Sequence, residues 1–408
     1  MTLRTVVTVG AGQVAAGAAR TLRRRGFDGR IILLGDESHA PYQRPPLSKE
    51  FLAGRESAES LSLFTPRWLE ANDIEIRTGV TVRRIDTTTG SVEFDGGSVA
   101  ADAVVLATGG RPRTIESTGP RPDLVHYLRT LDDALALAPR LIPGSRLIVV
   151  GGGFIGLEIA ATARSLGVEV TVVEQSAHLL GSVLGPQVGN YCADLHRRNG
   201  INLHTGTGVV TVTTSDRGVR IITTTGDTIE ADAAVVGIGI VPDTQVAAAS
   251  GLSVDNGIVV DEHGRTSIPN IYAAGDVANR FSPRAGRHIR VEHFDNANRQ
   301  STVVADTIVG RTKLSDDPHW FWSDQYDTNI QFAGTPLGTT DFVIRGDIET
   351  GEFSVFYLAG DTLTAAFAMD RGEDIMAARE LLGRQVDPAR LADEDTDLWE
   401  MYEEVEPA

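Results

Sequence analysis

Gly10-Ala11-Gly12-Gln13-Val14-Ala15 follows directly on the apolar run Thr5-Val6-Val7-Thr8-Val9, and Gly151-Gly152-Gly153-Phe154-Ile155-Gly156 follows on Leu147-Ile148-Val149-Val150. Each run is short, β-branched and apolar, as a central parallel strand requires. Each glycine stretch opens a helical segment, Val14 to Arg25 and Ile155 to Leu166, that ends at Gly26 and Gly167. A second strand follows in both copies, Ile31-Ile32-Leu33-Leu34 and Val170-Thr171-Val172-Val173, with Asp36 and Glu174 behind it. The pattern is a βαβ unit with an acid at its end, written twice.

The positions have physical reasons. The first glycine permits a tight turn, the second lets backbone approach a pyrophosphate, and the third position needs a small residue where helix and strand pack closely. Ala15 and Gly156 meet the last demand. A pyrophosphate then rests on unpaired N–H groups at the positive end of the helix, and the acid accepts hydrogen bonds from ribose hydroxyls. A carboxylate at Glu174 repels a 2′-phosphate, so the second unit is expected to prefer NADH over NADPH, with Arg164 and His178 the nearby groups able to soften that preference.

A further repeat outlines the domains. Ala101-Asp102-Ala103-Val104-Val105-Leu106-Ala107-Thr108-Gly109 resembles Ala231-Asp232-Ala233-Ala234-Val235-Val236-Gly237-Ile238-Gly239, each behind a hairpin-like stretch. Pro269 to Asp276 supplies one more short strand without a nucleotide fingerprint of its own, which places it back in the first module and makes the second module an insertion. From Thr312 onward aromatic strand-like stretches (Asn329 to Phe332, Phe342 to Ile344, Phe353 to Leu358) precede a helical one, Asp374 to Leu382. The expected fold is α/β: a discontinuous Rossmann-like domain of residues 1–109 and 240–311, a second of residues 110–239, and a C-terminal α+β domain of residues 312–408. The acidic stretch Asp393 to Glu406 is expected to be a solvated tail.

Composition narrows the classes. The 408 residues are 41% hydrophobic with a formal net charge of −18, which argues against a nonspecific nucleic-acid binder. No apolar run is long enough to span a bilayer, and Arg23-Arg24-Arg25 follows the apolar N-terminal stretch where a signal peptide would place its cations first. The sole cysteine, Cys192, excludes an intramolecular disulfide and any all-cysteine metal site; a cytoplasmic protein is expected, with no bound metal.

With these motifs in place, the chain resembles the FAD-dependent, NADH-dependent ferredoxin reductases that serve Rieske-type oxygenases and bacterial cytochrome P-450 systems, whose double-dinucleotide architecture is glutathione-reductase-like. The resemblance runs from about residue 3 to about residue 385 and includes Pro45-Pro46-Leu47-Ser48-Lys49, Ala107-Thr108-Gly109, Leu128-Arg129-Thr130, Gly153-Phe154-Ile155-Gly156-Leu157-Glu158, Ala274-Gly275-Asp276 and Trp320-Phe321-Trp322-Ser323-Asp324-Gln325. It implies that Gly10, Gly12, Val14, Ala15 and Asp36 hold the ADP half of FAD, with Glu37 an alternative ribose acid. Lys49 and Arg129 would lie along the cofactor, Asp276 would bind the ribityl chain or a phosphate, and Trp322 would line the flavin end. Gly151, Gly153, Ile155, Gly156 and Glu174 would bind NADH, with Glu158 near the nicotinamide carboxamide. Arg44, Val82, Ala107, Thr108, Gly109, Phe154, Gly239 and Gly275 complete the implied cofactor contacts, and Lys49 and Glu158 are the implied catalytic pair. The family's E-x-x-x-N-A segment reads Glu292-His293-Phe294-Asp295-Asn296-Ala297 here; Phe294 still offers the flavin an apolar surface, and His293 departs from the pattern.

Without a cysteine relay, reduced flavin must pass electrons outward. Hydride from NADH and single electrons to an acidic 2Fe–2S ferredoxin feeding an oxygenase are expected, flavin being able to handle both. Despite the overall charge, Arg280, Arg284, Arg287, Arg290, Arg299, Arg311 and Lys313 outnumber the acids after Asp276, so a basic docking patch is expected over this stretch. The rival readings are an NADH oxidase or small-acceptor reductase, and an NADH-sensing binding protein of the apoptosis-inducing-factor kind. Monomer and homodimer both remain open.

Overall fold

A computed structural model describes residues 3–312, 318–336 and 338–404. The duplicated βαβ pattern folds into two five-stranded parallel sheets of the same order. In the first, the strands run Ile271–Ala273, Ala103–Leu106, Thr5–Val9, Arg30–Leu34, Ile74–Arg77. In the second they run Val125–His126, Ala233–Val236, Arg146–Val150, Glu169–Val173, Asn202–His204. The glycine-turn strand sits at the centre of each sheet, buried on both faces, which is why its sequence is continuously apolar. Ile271–Ala273 pairs in register with Ala103–Leu106, so the first sheet closes with a strand contributed from beyond the inserted second module. Each sheet carries the expected antiparallel appendage, Val82–Asp86 with Ser91–Phe94 and Gly97–Ala100, and Val209–Ser215 with Gly218–Thr223 and Thr228–Ala231.

The chain divides into two compact units. One comprises Met1–Arg44, Ala58–Arg111 and Ile240–Asp317; the other comprises Pro45–Ser57, Pro112–Gly239 and Pro318–Ala408. This differs from the three-domain expectation in two ways. Pro45–Ser57 goes with the second unit, because Leu52 enters that unit's core and Thr162 Oγ1 donates to the Ser48 carbonyl at 2.8 Å. The C-terminal residues also join it, because their sheet shares a core with the second parallel sheet.

That C-terminal sheet is antiparallel, in the order Trp320–Gln325, Thr328–Gly334, Thr362–Met369, Glu352–Ala359, Asp341–Asp347. Strand alternation divides its residues between two cores. Phe353, Val355 and Tyr357 pack with Leu157, Leu184 and Val188 of the dinucleotide module, whereas Phe356 and Leu358 pack with Ile375, Leu381, Leu391 and Met401 on the opposite face. The expected solvated tail is instead docked as far as the structure describes it. Leu398 and Met401 of the helix Leu398–Glu404 are buried, and Arg345 donates to the carbonyls of Asp393, Glu394 and Thr396 at 2.5, 3.2 and 2.9 Å. Sparse apolar residues dock the segment while Asp393, Glu394, Asp395, Asp397, Glu400 and Glu403 are exposed; Glu406 lies outside the described residues. Among the described residues, no helix is long and apolar enough to cross a membrane.

Candidate functional site

In the first unit the backbone leaves strand Thr5–Val9 through Gly10 at φ +101°, where an added Cβ would lie 2.2 Å from the Ala107 carbonyl oxygen. Only glycine has both the conformation and the clearance. Gly12 caps the helix Gln13–Arg24 without a side-chain cap bond, and an added Cβ there meets nothing within 4 Å. No side chain caps the first-turn N–H groups, and there is room at Gly12 for a ligand to approach the helix start, as an anionic ligand requires. Val14 and Ala15 are buried behind it. Gly275, whose N–H donates to Gln300 Oε1 at 2.8 Å, packs so tightly on Val14 that a Cβ would come within 2.6 Å of Val14 Cγ2. This sets Asp276, half-buried in the short helix Gly275–Val277, beside the same turn.

The two candidate ribose acids differ in their surroundings. The strand register shows why: Val150 pairs with Val173 and Val9 with Leu34, so the residue level with Glu174 is Gly35 and both Asp36 and Glu37 lie beyond it. Asp36 is exposed. Glu37 accepts from Tyr42 Oη and from Arg44 Nη2, both at 2.5 Å. Burial disfavours the Arg44 charge, but Tyr42, Glu37 and Asp276 more than offset this and hold its pKa above the ordinary guanidinium value. Thr108 Oγ1 donates to the Asp243 carbonyl at 2.6 Å, Gly109 accepts from Asp243 N at 3.0 Å, and Val82 is buried at the start of its strand. Phe294 is the first residue of the helix Phe294–Ile308, with His293 as its cap.

The second unit repeats the cradle. Gly151 has φ +109° with a Cβ position 2.4 Å from the Gly237 carbonyl oxygen, and a Cβ on Gly156 would come within 2.2 Å of the Gly151 oxygen, so the third glycine is required by close helix–strand packing. Gly153 caps the helix Phe154–Ser165, again with no side-chain cap and open space before it. Glu174 is fixed by two backbone donors, Gly152 N to Oε2 at 2.7 Å and Ser176 N to Oε1 at 2.6 Å. Ile155 stands exposed at the helix start, Phe154 packs edge-on against Phe321 at 4.6 Å, and Gly239 turns the chain at φ +91° after the strand Ala233–Val236. Arg164 belongs to the opposite end of that helix, about 15 Å along its axis, where it donates to the Asn199 carbonyl at 2.9 Å; it does not face Glu174. His178 is bonded to Asn190 Oδ1 at 2.9 Å.

Also within the second unit, Lys49 Nζ lies 2.9 Å from Glu158 Oε1, the side chains being 9% and 3% exposed. Ser323 Oγ donates to Glu158 Oε1 at 2.7 Å and Ser48 Oγ donates to Oε2. Three donors from two segments, Ser48-Lys49 and the strand holding Ser323, thus compensate one buried carboxylate, and Lys49, with three ammonium hydrogens, retains donor capacity beyond Glu158. Trp322 is half-buried and stacked on Trp320 at 5.3 Å. Arg129 is half-buried just before the helix Leu131–Leu137, its N–H donating to Asp133 Oδ2 at 3.0 Å.

Of the expected basic patch, Arg280 is buried and donates to the Glu262 carbonyl at 2.9 Å, so it is not a surface cation. Arg290 pairs with Glu292 at 2.5 Å and Arg299 with Asp295 at 2.7 Å. Arg284 is exposed on the turn between strands Ala278–Ser282 and Arg287–Ile289, Arg287 is exposed at the start of the second of these strands, and Arg311 is exposed; Lys313 lies outside the described residues. Cys192 is wholly buried, which pushes its thiol up to about 12.

Ser48, Ser323 and Gln325 stand inside sequence motifs that assign them no role, and His196 belongs to no motif. One signal was present: Val188, Cys192 and His196 recur every fourth residue in the helical stretch that follows the break at Gly185, so a titratable ring occupies its apolar stripe.

Residues 4–301 match the family model described as pyridine nucleotide-disulphide oxidoreductase, and residues 320–402 match that described as reductase C-terminal. The chain is 40% identical over 397 residues to rhodocoxin reductase of Rhodococcus erythropolis, covering 96% of this chain and 93% of that protein. It is 41% identical over 391 residues to the anthranilate 1,2-dioxygenase system ferredoxin–NAD(+) reductase component of Burkholderia cepacia, covering 95% and 96%. Among solved structures it is similar to the covalent putidaredoxin reductase–putidaredoxin complex, with a TM-score of 0.94 and 37% identity over 99% of each chain.

Proposed function

The chain belongs to the pyridine nucleotide-disulphide oxidoreductase family, within its ferredoxin reductases, and on that premise we propose that it takes hydride from NADH onto FAD and passes single electrons to an acidic 2Fe–2S ferredoxin that supplies an oxygenase. The observation that carries the outward route is Cys192: the only thiol is wholly buried and held protonated far above neutral pH, so the chain contains no dithiol to receive the electrons.

The two cradles fit two dinucleotides, because each offers uncapped helix-start N–H groups over open space. We assign FAD to Gly10, Gly12, Val14, Ala15 and Asp276, with the ribose on Asp36. Glu37, already engaged by Tyr42 and Arg44, would orient the Arg44 guanidinium toward the phosphates. Val82, Ala107, Thr108, Gly109, Gly275 and Phe294 complete this set, together with Lys49, Arg129 and Trp322. We assign NADH to Gly151, Gly153, Phe154, Ile155, Gly156, Glu174 and Gly239. When bound, the nicotinamide supplies the hydride and the flavin can accept it and release electrons singly.

The protein contributes placement and charge. Glu158 compensates the buried Lys49 ammonium, and the serines at positions 48 and 323 hold the carboxylate so that the cation keeps one location. A fixed cation in a low-dielectric site stabilises developing negative charge without reorganising. Glu174, clamped by two backbone N–H groups, offers its remaining lone pairs to ribose hydroxyls and disfavours a 2′-phosphate. For the ferredoxin, the exposed pair Arg284 and Arg287 replaces the broader patch as the docking site. The test is anaerobic reduction of the yellow protein with NADH, followed by a cytochrome c assay with and without an added 2Fe–2S ferredoxin. Reduction that depends on the ferredoxin is expected. Fast turnover with oxygen or quinone alone would overturn the assignment in favour of a small-acceptor reductase.

A further inference from the structure

A single line of hydrogen bonds continues from Glu158 into the C-terminal sheet. Ser323 Oγ, 2.7 Å from Glu158 Oε1, lies 3.1 Å from Gln325 Nε2; Gln325 Oε1 lies 2.9 Å from His196 Nε2; and His196 Nδ1 lies 3.0 Å from Tyr326 Oη. Ser323, Gln325 and His196 are fully buried. An ionised carboxylate can only accept, so the one Ser323 proton is committed to it and Ser323 must accept from Gln325. That turns the amide NH2 toward Ser323 and its oxygen toward His196, which requires the imidazole proton on Nε2 and leaves Nδ1 to accept from Tyr326. Every donor direction in the line follows from the charge at its end.

The line also spans a turn. Gln325 ends the strand Trp320–Gln325, and Tyr326-Asp327 connects it to Thr328–Gly334, with Tyr326 at φ +58° in the left-handed region that costs a non-glycine residue free energy. His196, on the helix Gly181–Arg198, bonds both Gln325 and Tyr326 and so holds this hairpin end against the dinucleotide module. Ser323 stands two residues earlier on the same strand, paired across the hairpin with Ile330, and receives the Gln325 amide that His196 engages.

We infer that His196, acting through Gln325 and Ser323, is a positioning residue for the Lys49–Glu158 pair, fixing the carboxylate and through it the ammonium. The inference rests on the assignment of that pair to the reaction.

Two readouts test it on the flavin-loaded protein. The first is nitrogen-15 NMR of the imidazole rings: His196 should carry its proton on Nε2 at neutral pH, and Ser323→Ala, two links away, should move its Nε2 resonance. The second is the stopped-flow rate of flavin reduction by NADH. His196→Phe and Ser323→Ala should each slow it about tenfold, the change equivalent to ~1.4 kcal/mol in barrier, with NADH affinity within about twofold. His196→Gln, whose amide can still donate to Gln325, should return to within about threefold of the parent rate. Because all act through one carboxylate, the His196→Phe/Ser323→Ala double variant should be within about twofold of the slower single.

A proton on Nδ1, an Nε2 resonance indifferent to Ser323→Ala, or slowing that multiplies to about a hundredfold in the double variant would overturn the inference. If Lys49→Met is slow while His196→Phe is as fast as the parent, the inference alone fails. If Lys49→Met itself reduces at the parent rate, the assignment of the pair to the reaction fails, and the positioning role with it.

Discussion

Lys49→Met removes the cation from a carboxylate that is 3% exposed and 2.9 Å away. Breaking a buried pair by deleting one partner costs about 3–5 kcal/mol, because the remaining charge is left uncompensated in a low-dielectric environment. Here Ser48 and Ser323 keep donating to Glu158, so the low end, about 3 kcal/mol, is the expected loss. Glu158→Gln leaves a buried ammonium that retains only a neutral acceptor, and a similar loss is expected. The double variant Lys49→Met/Glu158→Gln has neither charge to strand, and it should be no less stable than either single, giving a coupling energy of about 3 kcal/mol. Urea unfolding followed by tryptophan fluorescence in a Trp68→Phe background measures this within the right unit, since the remaining tryptophans, Trp320, Trp322 and Trp399, share it with the pair. Losses in the two singles that simply add in the double would refute the claim that the charges compensate one another.

Other consequences follow from the same geometry. Glu174→Ala should weaken NADH binding about tenfold or more, the worth of a hydrogen bond to a charged group, and lower the NADH-over-NADPH preference; an unchanged ratio of the two dissociation constants would remove Glu174 from the ribose. Burial lowers the His196 pKa to about 4 from an ordinary value of 6.5. The unfolded chain therefore binds a proton that the folded one refuses as pH falls from about 6.5 to 4, and stability is present above this window and lost within it. About 2 kcal/mol should be lost between pH 7 and 5, and His196→Phe should flatten that part of the urea-midpoint profile; equal slopes in parent and variant would refute it. Arg284→Glu/Arg287→Glu should weaken ferredoxin reduction while NADH-driven dye reduction stays intact, and a parallel fall of both activities would rule out docking there.

Where function depends on local backbone, the chain is readable residue by residue. Gly10 and Gly151 must adopt positive φ against a neighbouring carbonyl, and Gly156 must admit a strand at van der Waals distance. These demands act over a few residues and leave a spacing that can be read. Charge character, by contrast, misled wherever burial intervened. Arg280 looked like a surface cation and is buried; Asp393 to Glu406 looked like a solvated tail, yet as far as residue 404 Leu398, Met401 and the three carbonyls on Arg345 dock it. A few apolar residues and one guanidinium outweigh a run of acids that stay in water.

The sequence by itself determined that a βαβ unit with a glycine turn is written twice, that a strand beyond the second copy returns to the first sheet, and that a single cysteine leaves no pair, because turn geometry, strand apolarity and residue inventory are properties of short segments. Only the tertiary structure decided which unit owns the Pro45–Ser57 segment, which donors surround Glu158, and that His196 stands at the end of their line. Ser48 and Glu158 are 110 positions apart and Ser323 lies 165 from Glu158. No local pattern encodes such a meeting; it follows from how sheets and helices pack to bury their apolar faces, and the polar groups carried inside must then find one another.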